Sequence, residues 1–292
     1  MNKNPYGCII TKNPIGAPVY DVIFKGEAEP TNWKQYLCPR ERQYNWPFCV
    51  TFSCLNCQEA VANKEGIQLN LSDRYLGVIS KTSKQGNDLH NVAETFRTVG
   101  VVKENDCPWR DDWLSDIKHW DNAFDLWDID PNARRYYGGD HSFIYDKNLV
   151  SRALHYSPIQ LAVAVGANWE TENPIKNPDK ILAHHAITAY WIDDTGYYFQ
   201  DSCGKEFKTL SPDYRIEGAK SFRLLPNNWR EIMYRLVQVE GNDKIYLLQG
   251  SRAIHLFSGA TREILGFKDQ EPEKITQEEL DKYVYETIVA GK

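Results

Sequence analysis

The chain lacks the features that would direct it to a membrane, a nucleic acid or the secretory pathway. It has no run of about 18 apolar residues, the length that a helix needs to cross a bilayer. Positive charge is not in excess: 34 Lys and Arg stand against 40 Asp and Glu, whereas nucleic acids and anionic membranes bind basic faces. The first ten residues contain no small-residue cleavage site, so we predict no signal peptide. We therefore expect a cytoplasmic or virion-associated protein.

An even set of cysteines is also missing, because the chain has seven. An odd number cannot pair completely within one chain, and reduced thiols with an intracellular history are the simplest interpretation. Cys54 and Cys57 form a C-x-x-C pair without a second pair at metal-ligand spacing. We therefore predict no zinc site and no other metal or cofactor.

Helical patterns occupy the front half of the chain. Residues 47–61 and 89–99 carry apolar residues at helical spacing, and Gly66 and Gly100 are suited to end these two helices. The apolar face predicted for the second helix consists of Leu89, Val92, Ala93, Phe96 and Val99.

Aromatic residues recur at helical spacing over residues 109–128. We interpret this segment as an amphipathic helix that packs its tryptophans, in preference to an aromatic platform beside a substrate groove. The acidic residues Asp125, Asp128 and Asp130 lack the central Gly and closing Glu of a calcium loop. We therefore interpret them as a solvated face.

Strand patterns follow from Ser157. SPIQLAVAV predicts a short buried strand, and ILAHHAITAYWI and GYYFQDS predict a hairpin around the turn signal DDTG. Because helices come first and strands second, the order indicates an α+β architecture and not alternating βαβ units.

The last part of the chain, residues 236–292, is predicted to be a small separate α/β module. It offers two short strands and, in TREILGF and TQEELDKYVYETI, two helices. Its stretch KIYLLQGSRAIHLFSG loosely resembles modules attached to bacterial and phage surface proteins, which implies a partner or a cell-envelope component as its ligand. The main domain is then 1–235, with residues 1–30 as an irregular lead-in.

Candidate chemistry centres on Cys49, at the predicted start of a helix. The free N–H groups and the dipole at a helix N-terminus favour an anion, and a thiolate is the nucleophilic form of cysteine. His185 and Asp201 lie on opposite arms of the predicted hairpin, so a carboxylate can orient the imidazole while its other nitrogen faces the thiol. The side-chain amide of Gln43 and the backbone N–H of Cys49 would then hold an oxyanion.

These residues resemble those of papain-like cysteine peptidases. Gln43 and the CVTFS segment at Cys49 are similar to the family's glutamine and Cys-Trp-Ala-Phe-Ser, with matching spacing. LSDRYL, SPIQLAVAV, HAITAY and DSCG are similar, in the same order, to the family's Leu-Ser-Glu-Gln-x-Leu, Pro-Val-Ser-Val-Ala-Ile, His-Ala-Val-x-x-Val and Asn-Ser-Trp-Gly. The resemblance covers about residues 30–235.

The resemblance implies a two-lobe fold, with a helical lobe and an antiparallel β-barrel-like lobe that face each other across a cleft. It implies hydrolysis of peptide bonds in a peptide or protein substrate, with Cys49 as nucleophile and His185 as general base and acid. Gln43 would be the oxyanion donor, and Asp201 would stand in the place of the orienting asparagine. The residues expected to contact substrate are Gly86, Asn87, Ala162 and His184.

The sequence departs from the family pattern at several points. Asp201 replaces asparagine and Cys203 replaces the tryptophan that shields it, and a carboxylate is expected to keep the thiolate–imidazolium pair to higher pH. The bulky residues Trp46, Pro47 and Phe48 precede the nucleophile and are expected to narrow access to the scissile bond. No recognisable propeptide precedes these motifs, so we expect no zymogen control of the usual kind.

Three functions and two histidines remain open at this point. The alternatives to a peptidase are a Cys–His–Asp hydrolase of peptidoglycan peptides and a catalytically inactive structural or binding protein on a peptidase fold. His184 competes with His185, but adjacent strand residues point to opposite faces, and the spacing to Asp201 favours His185.

Overall fold

A computed structural model describes most of the chain. The described residues are 6–11, 31–109, 126, 129, 133, 135–146, 148–223, 235–242, 244–249, 252–256, 272–281 and 284–286. The chain divides into two compact units, residues 1–224 and 225–292. In the described part of the chain, no helix is long and apolar enough to cross a membrane.

Two helices of the first unit begin where the sequence supplies caps. The Ser72 hydroxyl accepts from the N–H of Tyr75, and the Asp88 carboxylate accepts from the N–H groups of His90 and Asn91. The helices are α1 (Cys49–Lys64), α2 (Asp73–Ile79), α3 (Leu89–Val99) and α4 (Asn148–Leu154), with 3-10 turns at Trp33–Tyr36 and Glu104–Asp106.

Helix α1 is the central element of the helical lobe. Every residue from Cys49 to Ala62 is buried, so the helix is enclosed on all sides and has no solvent-exposed face over this stretch. It begins two residues after Pro47, and Phe48 offers no side-chain cap to its first N–H groups. Gly66, in the left-handed region at φ +76°, follows the helix end as predicted.

Helix α3 has the predicted bounds, and Gly100 follows it at φ +78°. Leu89, Val92, Ala93 and Phe96 are buried, but Val99 is exposed, so its place in the predicted apolar face is wrong. The helix predicted over 109–128 lies outside the described residues apart from Trp109 and Leu126, and so do Asp125, Asp128 and Asp130.

The strands of the first unit form one antiparallel sheet. Its order is β1-β6-β2-β3-β4-β5, and the predicted hairpin is the pair β3–β4. The strands are β1 (His141–Phe143), β2 (Ile159–Val165), β3 (Ala183–Asp193), β4 (Gly196–Gln200), β5 (Phe207–Leu210) and β6 (Ile216–Phe222). Helices followed by an antiparallel sheet confirm the α+β prediction.

Hydrogen bonds attach α1 to this sheet. The Gln160 amide in β2 donates to the carbonyl of Val50 at 2.8 Å and to the hydroxyl of Ser53 at 2.9 Å. The Thr188 hydroxyl in β3 donates to the Ser53 carbonyl at 3.3 Å. These buried contacts fix the first turns of the helix against the two strands, which sets Cys49 against β3.

The second unit contains a five-stranded mixed sheet, with order β10-β7-β8-β9-β11. Its elements are β7 (Arg235–Val239), β8 (Ile245–Gln249), β9 (Arg252–Leu256), β10 (Glu273–Ile275), α5 (Gln277–Leu280) and β11 (Val284–Glu286). The sequence predicts two strands in this part of the chain, and the structure has five. The helix predicted over TQEELDKYVYETI is also too long, because strand β11 takes up part of that segment. TREILGF lies outside the described residues.

Candidate active site

Cys49 is the first residue of α1, and its side chain is fully buried. No side-chain cap covers this helix end, and the first N–H groups of a helix have no partner within the helix. Cys54 and Cys57 lie deeper in the same helix, and burial raises the pKa of both thiols well above the ordinary value. The buried sulfurs of this C-x-x-C pair belong to the core of the lobe.

His185 lies on β3 and has no exposed surface. Its Nε2 is 2.7 Å from Oδ1 of Asp201, which is also fully buried. Its Nδ1 is buried and has no hydrogen-bond partner in the part of the chain that the structure describes. Because Asp201 takes Nε2, Nδ1 is the ring nitrogen left for the thiol, and the charge of Cys49 is one of the causes that raise the pKa of His185.

The charge state of His185 follows from two opposed effects. Burial disfavours the imidazolium, but the charges of Asp201 and Cys49, together with the hydrogen bond to Asp201, outweigh burial and raise the pKa of His185 to about 9. Burial likewise opposes the Asp201 carboxylate, and His185 and other donors outweigh it and hold the pKa of Asp201 below its ordinary value. The arrangement therefore favours imidazolium beside carboxylate at neutral pH.

Asp201 accepts four hydrogen bonds. Its Oδ1 accepts from His185 and from the backbone N–H of Cys203 at 2.8 Å. Its Oδ2 accepts from the indole N–H of Trp169 at 3.1 Å and from the ammonium of Lys208 at 3.0 Å. A buried carboxylate with this many donors is fixed in place and stays ionised.

Two of these donors were not predicted from the sequence. Trp169 follows β2 and packs edge-on against the His185 ring, with centroids 5.6 Å apart. It supplies the shielding indole that we expected to be lost where Cys203 stands. Lys208 on β5 also pairs with Glu170 at 2.8 Å, and nothing in the sequence of this strand, FKTL, marks the lysine as part of the site.

Gln43 is buried close to the start of α1. Its Nε2 donates to the carbonyl of Trp46 at 2.7 Å, and its Oε1 accepts from the hydroxyl of Ser202 at 2.5 Å. The side chain therefore links the turn before Cys49 to the segment that follows β4.

Residues 6–11, which we call the N-terminal strap, cross this site. The ring of Tyr6 packs edge-on against His185, with centroids 5.0 Å apart. The N–H of Cys8 donates to the carbonyl of His184 at 3.1 Å. The strap and residue 87 form a parallel bridge, in which Asn87 donates to the Gly7 carbonyl at 2.9 Å and accepts from the Ile9 N–H at 2.8 Å.

Three of the four residues expected to contact substrate lie against the strap. Gly86 is in the left-handed region at φ +99°, and a Cβ there would be 1.5 Å from the Gly7 carbonyl oxygen. Asn87 and His184 contact the strap through their backbones, while the Asn87 side chain is buried against Ser80 and Thr82. Ala162 lines a cavity together with Ile9, Ile10, Leu89, Phe143 and Gly218.

The bulky residues before Cys49 do not all narrow the site. Trp46 and Phe48 are buried in the helical lobe, where their rings pack against Trp109 at centroid distances of 5.9 and 5.1 Å. The expectation that they restrict access is therefore wrong for these two residues. Pro47 does face the cleft, where it contacts Gly7 of the strap.

Comparison of the sequence with known proteins gives no match. No protein-family model matches the chain, and no curated protein matches it either.

Comparison of the structure gives clear matches at low sequence identity. The bromelain protease of Ananas comosus superposes with a TM-score of 0.52 at 17% identity, over 66% of this chain and 98% of that one. Xylellain, a cysteine protease from Xylella fastidiosa, superposes with a TM-score of 0.55 at 15% identity, over 75% of this chain and 95% of that one. Procathepsin B S9 from Trypanosoma congolense superposes with a TM-score of 0.60 at 12% identity, over 75% of this chain and 86% of that one. The chain therefore has the fold of the papain-like cysteine proteases, with a helical lobe and an antiparallel sheet lobe.

Proposed function

We propose that the protein is a cysteine peptidase in which Cys49 is the nucleophile. The observation that carries this proposal is the buried row of Cys49, His185 and Asp201, in which the carboxylate lies 2.7 Å from Nε2 of the ring and Nδ1 is left without a hydrogen-bond partner among the described residues. A buried core has no need of an ion pair between an imidazole and a carboxylate, because apolar residues of equal volume would stabilise it as well. The row is the arrangement that a thiol nucleophile requires.

The reaction would proceed through an acyl-enzyme. The Cys49 thiolate attacks the carbonyl carbon of the scissile bond, and the oxyanion accepts hydrogen bonds from the Gln43 amide and the Cys49 N–H. The C–N bond breaks as the proton on Nδ1 of His185 passes to the leaving amine. Water then attacks the thioester while His185 takes a proton from it, which releases the new carboxylic acid and restores the thiolate.

Asp201 and Lys208 would act together as an orienting pair. A lone carboxylate would hold the imidazolium strongly, which would make His185 reluctant to give up its proton. The Lys208 ammonium, 3.0 Å from the second oxygen of Asp201, offsets part of that negative charge. The pair thereby fixes the ring while it moderates the rise in the pKa of His185.

The N-terminal strap would have to leave the site before a substrate could bind. It covers the imidazole through Tyr6 and uses the backbone groups of Asn87 and His184 that a substrate strand would need. We therefore propose that residues 6–11 are inhibitory, contrary to our expectation that such control is absent. Its removal would leave the catalytic row intact, because none of Cys49, His185 and Asp201 belongs to the strap.

A variant with a displaced strap tests this function. A Cβ on Gly7 would be 2.4 Å from Cβ of Pro47 and 2.8 Å from its carbonyl oxygen, so Gly7→Val prevents the strap from seating without straining its backbone. We expect reduced Gly7→Val protein to hydrolyse a mixture of unstructured peptides at least about tenfold faster than the unchanged chain. Ile10→Val, at an exposed strap position, is the matched control and should behave like the unchanged chain.

A covalent probe gives a second readout on the same variants. The bromelain structure is a complex with the inhibitor E64, and we expect E64 to label Gly7→Val at Cys49 and to leave His185→Ala in the Gly7→Val background largely unlabelled. An inactive scaffold is the competing function, and the occupied cleft favours it. Gly7→Val protein that is folded, labels no faster at Cys49 than at Cys203 and hydrolyses no peptide would establish that scaffold in place of a peptidase.

We assign a binding role to the second unit. We place the catalytic residues in the predicted domain of residues 1–235 and assign residues 236–292 to contact with a partner or a cell-envelope component.

A further inference from the structure

A second thiol belongs to the strap that crosses the proposed active site. Cys8 is in the strap, with 6% of its surface exposed, and neither its sulfur nor that of Cys49 is in a disulfide. Its N–H is hydrogen-bonded to the carbonyl of His184, the residue before His185. The preceding residue, Gly7, contacts Pro47, two positions before Cys49. Contacts on both sides therefore fix Cys8 over the start of α1.

Electrostatics agree with this placement. Burial is the main cause that raises the pKa of the Cys8 thiol, and the negative charge of Cys49 is the next. While Cys49 carries the thiolate, Cys8 therefore stays a neutral thiol.

From this juxtaposition we propose that Cys8 and Cys49 form a reversible disulfide, a redox modification site whose co-substrate is a low-molecular-weight disulfide. The inference rests on the proposed function in one respect, since it uses the thiolate character of Cys49. The bond would tie the strap covalently across the cleft and keep the enzyme inactive until a thiol reduces it.

The exchange proceeds in two balanced steps. The Cys49 thiolate attacks one sulfur of the small disulfide, whose S–S bond breaks and releases one small thiolate, and a mixed disulfide remains on Cys49. The Cys8 thiol then loses its proton and attacks the Cys49 sulfur, which releases the second small thiolate. Two protein thiols are oxidised to one disulfide while the small disulfide is reduced to two thiols.

Cys8 is better placed for the second step than the other cysteine near the site. The charge of Cys49 also contributes to the raised pKa of the Cys203 thiol. The Cys203 sulfur, however, lies 3.8 Å from the Tyr44 carbonyl oxygen, and the Cys203 N–H donates to Asp201. It therefore lies beside the carboxylate that orients the ring. Cys8 belongs to the segment that lies over the ring, and its movement needs only the release of the strap.

The test is the oxidation of the full chain by oxidised glutathione. Reduced protein is equilibrated with oxidised and reduced glutathione at set ratios, quenched in acid, alkylated and digested with chymotrypsin without reduction. Cleavage after Phe48 and Phe52 isolates Cys49 in the peptide CVTF, away from Cys54 and Cys57. We expect mass spectrometry to find this peptide linked to the peptide that carries Cys8.

Variants give the quantitative prediction. Cys8→Ser has no resolving thiol and should stop at the mixed disulfide of Cys49 with glutathione. Mass spectrometry of the peptide CVTF should therefore find half of Cys49 oxidised in the unchanged chain at a ratio of oxidised to reduced glutathione at least about tenfold lower than in Cys8→Ser, and a dithiol should reverse the oxidation. Cys38→Ser, whose sulfur bonds to the Leu69 carbonyl away from the site, is the matched control and should form the Cys8–Cys49 link.

The outcomes separate this inference from the proposed function. A link between Cys49 and Cys203, or only the mixed disulfide in the unchanged chain, overturns the inference whatever the peptidase activity. A Cys8–Cys49 link in a protein whose reduced Gly7→Val form hydrolyses no peptide supports the redox site and refutes the peptidase.

Discussion

At the scale of residues, the chemistry of the site depends on how the negative charge of the buried Asp201 carboxylate is offset. Asp201 stands where the resemblance expects an amide, and the added negative charge would make His185 a stronger base. Lys208 and Trp169 approach the oxygen of Asp201 that His185 does not use. A neutralised carboxylate therefore resembles an amide in charge while it keeps a stronger hydrogen bond to the ring.

Replacement of Lys208 tests that balance. In Lys208→Met the charge of Asp201 is no longer offset, so the pKa of His185 should rise further above its value of about 9. Since His185 must be protonated to donate to the leaving amine, the alkaline limb of the pH–rate profile should move upward by about one pH unit. The measurement is peptide hydrolysis or E64 labelling between pH 6 and 11 in the Gly7→Val background.

Lys208→Arg is the control, since it keeps the positive charge. Its alkaline limb should lie within about 0.3 pH units of that of the Gly7→Val protein. An alkaline limb that stays in place in Lys208→Met, in protein of unchanged fold, would contradict the role given to the lysine.

Sequence reasoning reached the residues that have local signals. His185 was preferred to His184 because strand residues alternate, and the structure places His185 and not His184 against Asp201. Trp169 and Lys208 had no such signal, because they come from a turn after β2 and from β5 and meet Asp201 only in the folded sheet. Contacts between distant segments depend on the packing of elements, which spacing along the chain does not give.

At the scale of elements, the β3–β4 hairpin determines the distance between His185 and Asp201. Gly196, the first residue of β4, follows its turn at φ +139°, and a Cβ there would be 1.8 Å from the Leu210 carbonyl oxygen on the neighbouring strand. Both the positive φ and this close approach require glycine. The turn is therefore a constraint on the site although it is remote from the thiol.

Substitution of Gly196 should destabilise the fold. We expect Gly196→Ala to lower the free energy of unfolding by at least about 2 kcal/mol, because the backbone strain and the clash with β5 act together. Gly218→Ala is the matched control, since a Cβ there would make an ordinary contact of 3.6 Å with Ala162. Urea unfolding of both variants measures the difference, and equal loss of stability in the two would contradict the account of the hairpin.

Elements with strong periodicity or clear caps were predicted well, as α3 and the β3–β4 hairpin illustrate. The strap was not, because residues 6–11 have no regular pattern and their extended shape comes from hydrogen bonds to Asn87 and His184. The second unit was predicted poorly for a related reason. Strands of three residues such as β10 and β11 are defined by their parallel partners and carry little signal of their own.

At the scale of the whole molecule, buried acids make stability depend on pH. Glu59 in α1 is buried, which raises its pKa to about 8 from an ordinary value of 4.5, against a hydrogen bond from the Leu71 N–H. Between these two pH values the folded chain holds a proton that the unfolded chain releases. Stability should therefore fall as the pH rises through this window.

Glu59→Gln removes this titration and keeps an oxygen for the Leu71 N–H. We expect the melting temperature of the unchanged chain to fall more than that of Glu59→Gln between pH 5 and pH 8, so that the variant gains relative stability at the higher pH. Thermal unfolding at the two pH values measures it. Other titrating groups, His185 among them, are common to both proteins and cancel, so parallel behaviour of the two proteins would refute the buried-acid interpretation.

The central claim, that His185 keeps Cys49 as a thiolate, is tested most directly by the pH dependence of alkylation. Iodoacetamide is applied to Gly7→Val protein, with and without His185→Ala, and modification is quantified on the peptide CVTF. The account predicts a rate that changes by less than about threefold between pH 6 and pH 8 and a large loss at pH 6 in His185→Ala. A rate that rises about tenfold per pH unit in both proteins, as for an unactivated thiol, would contradict it.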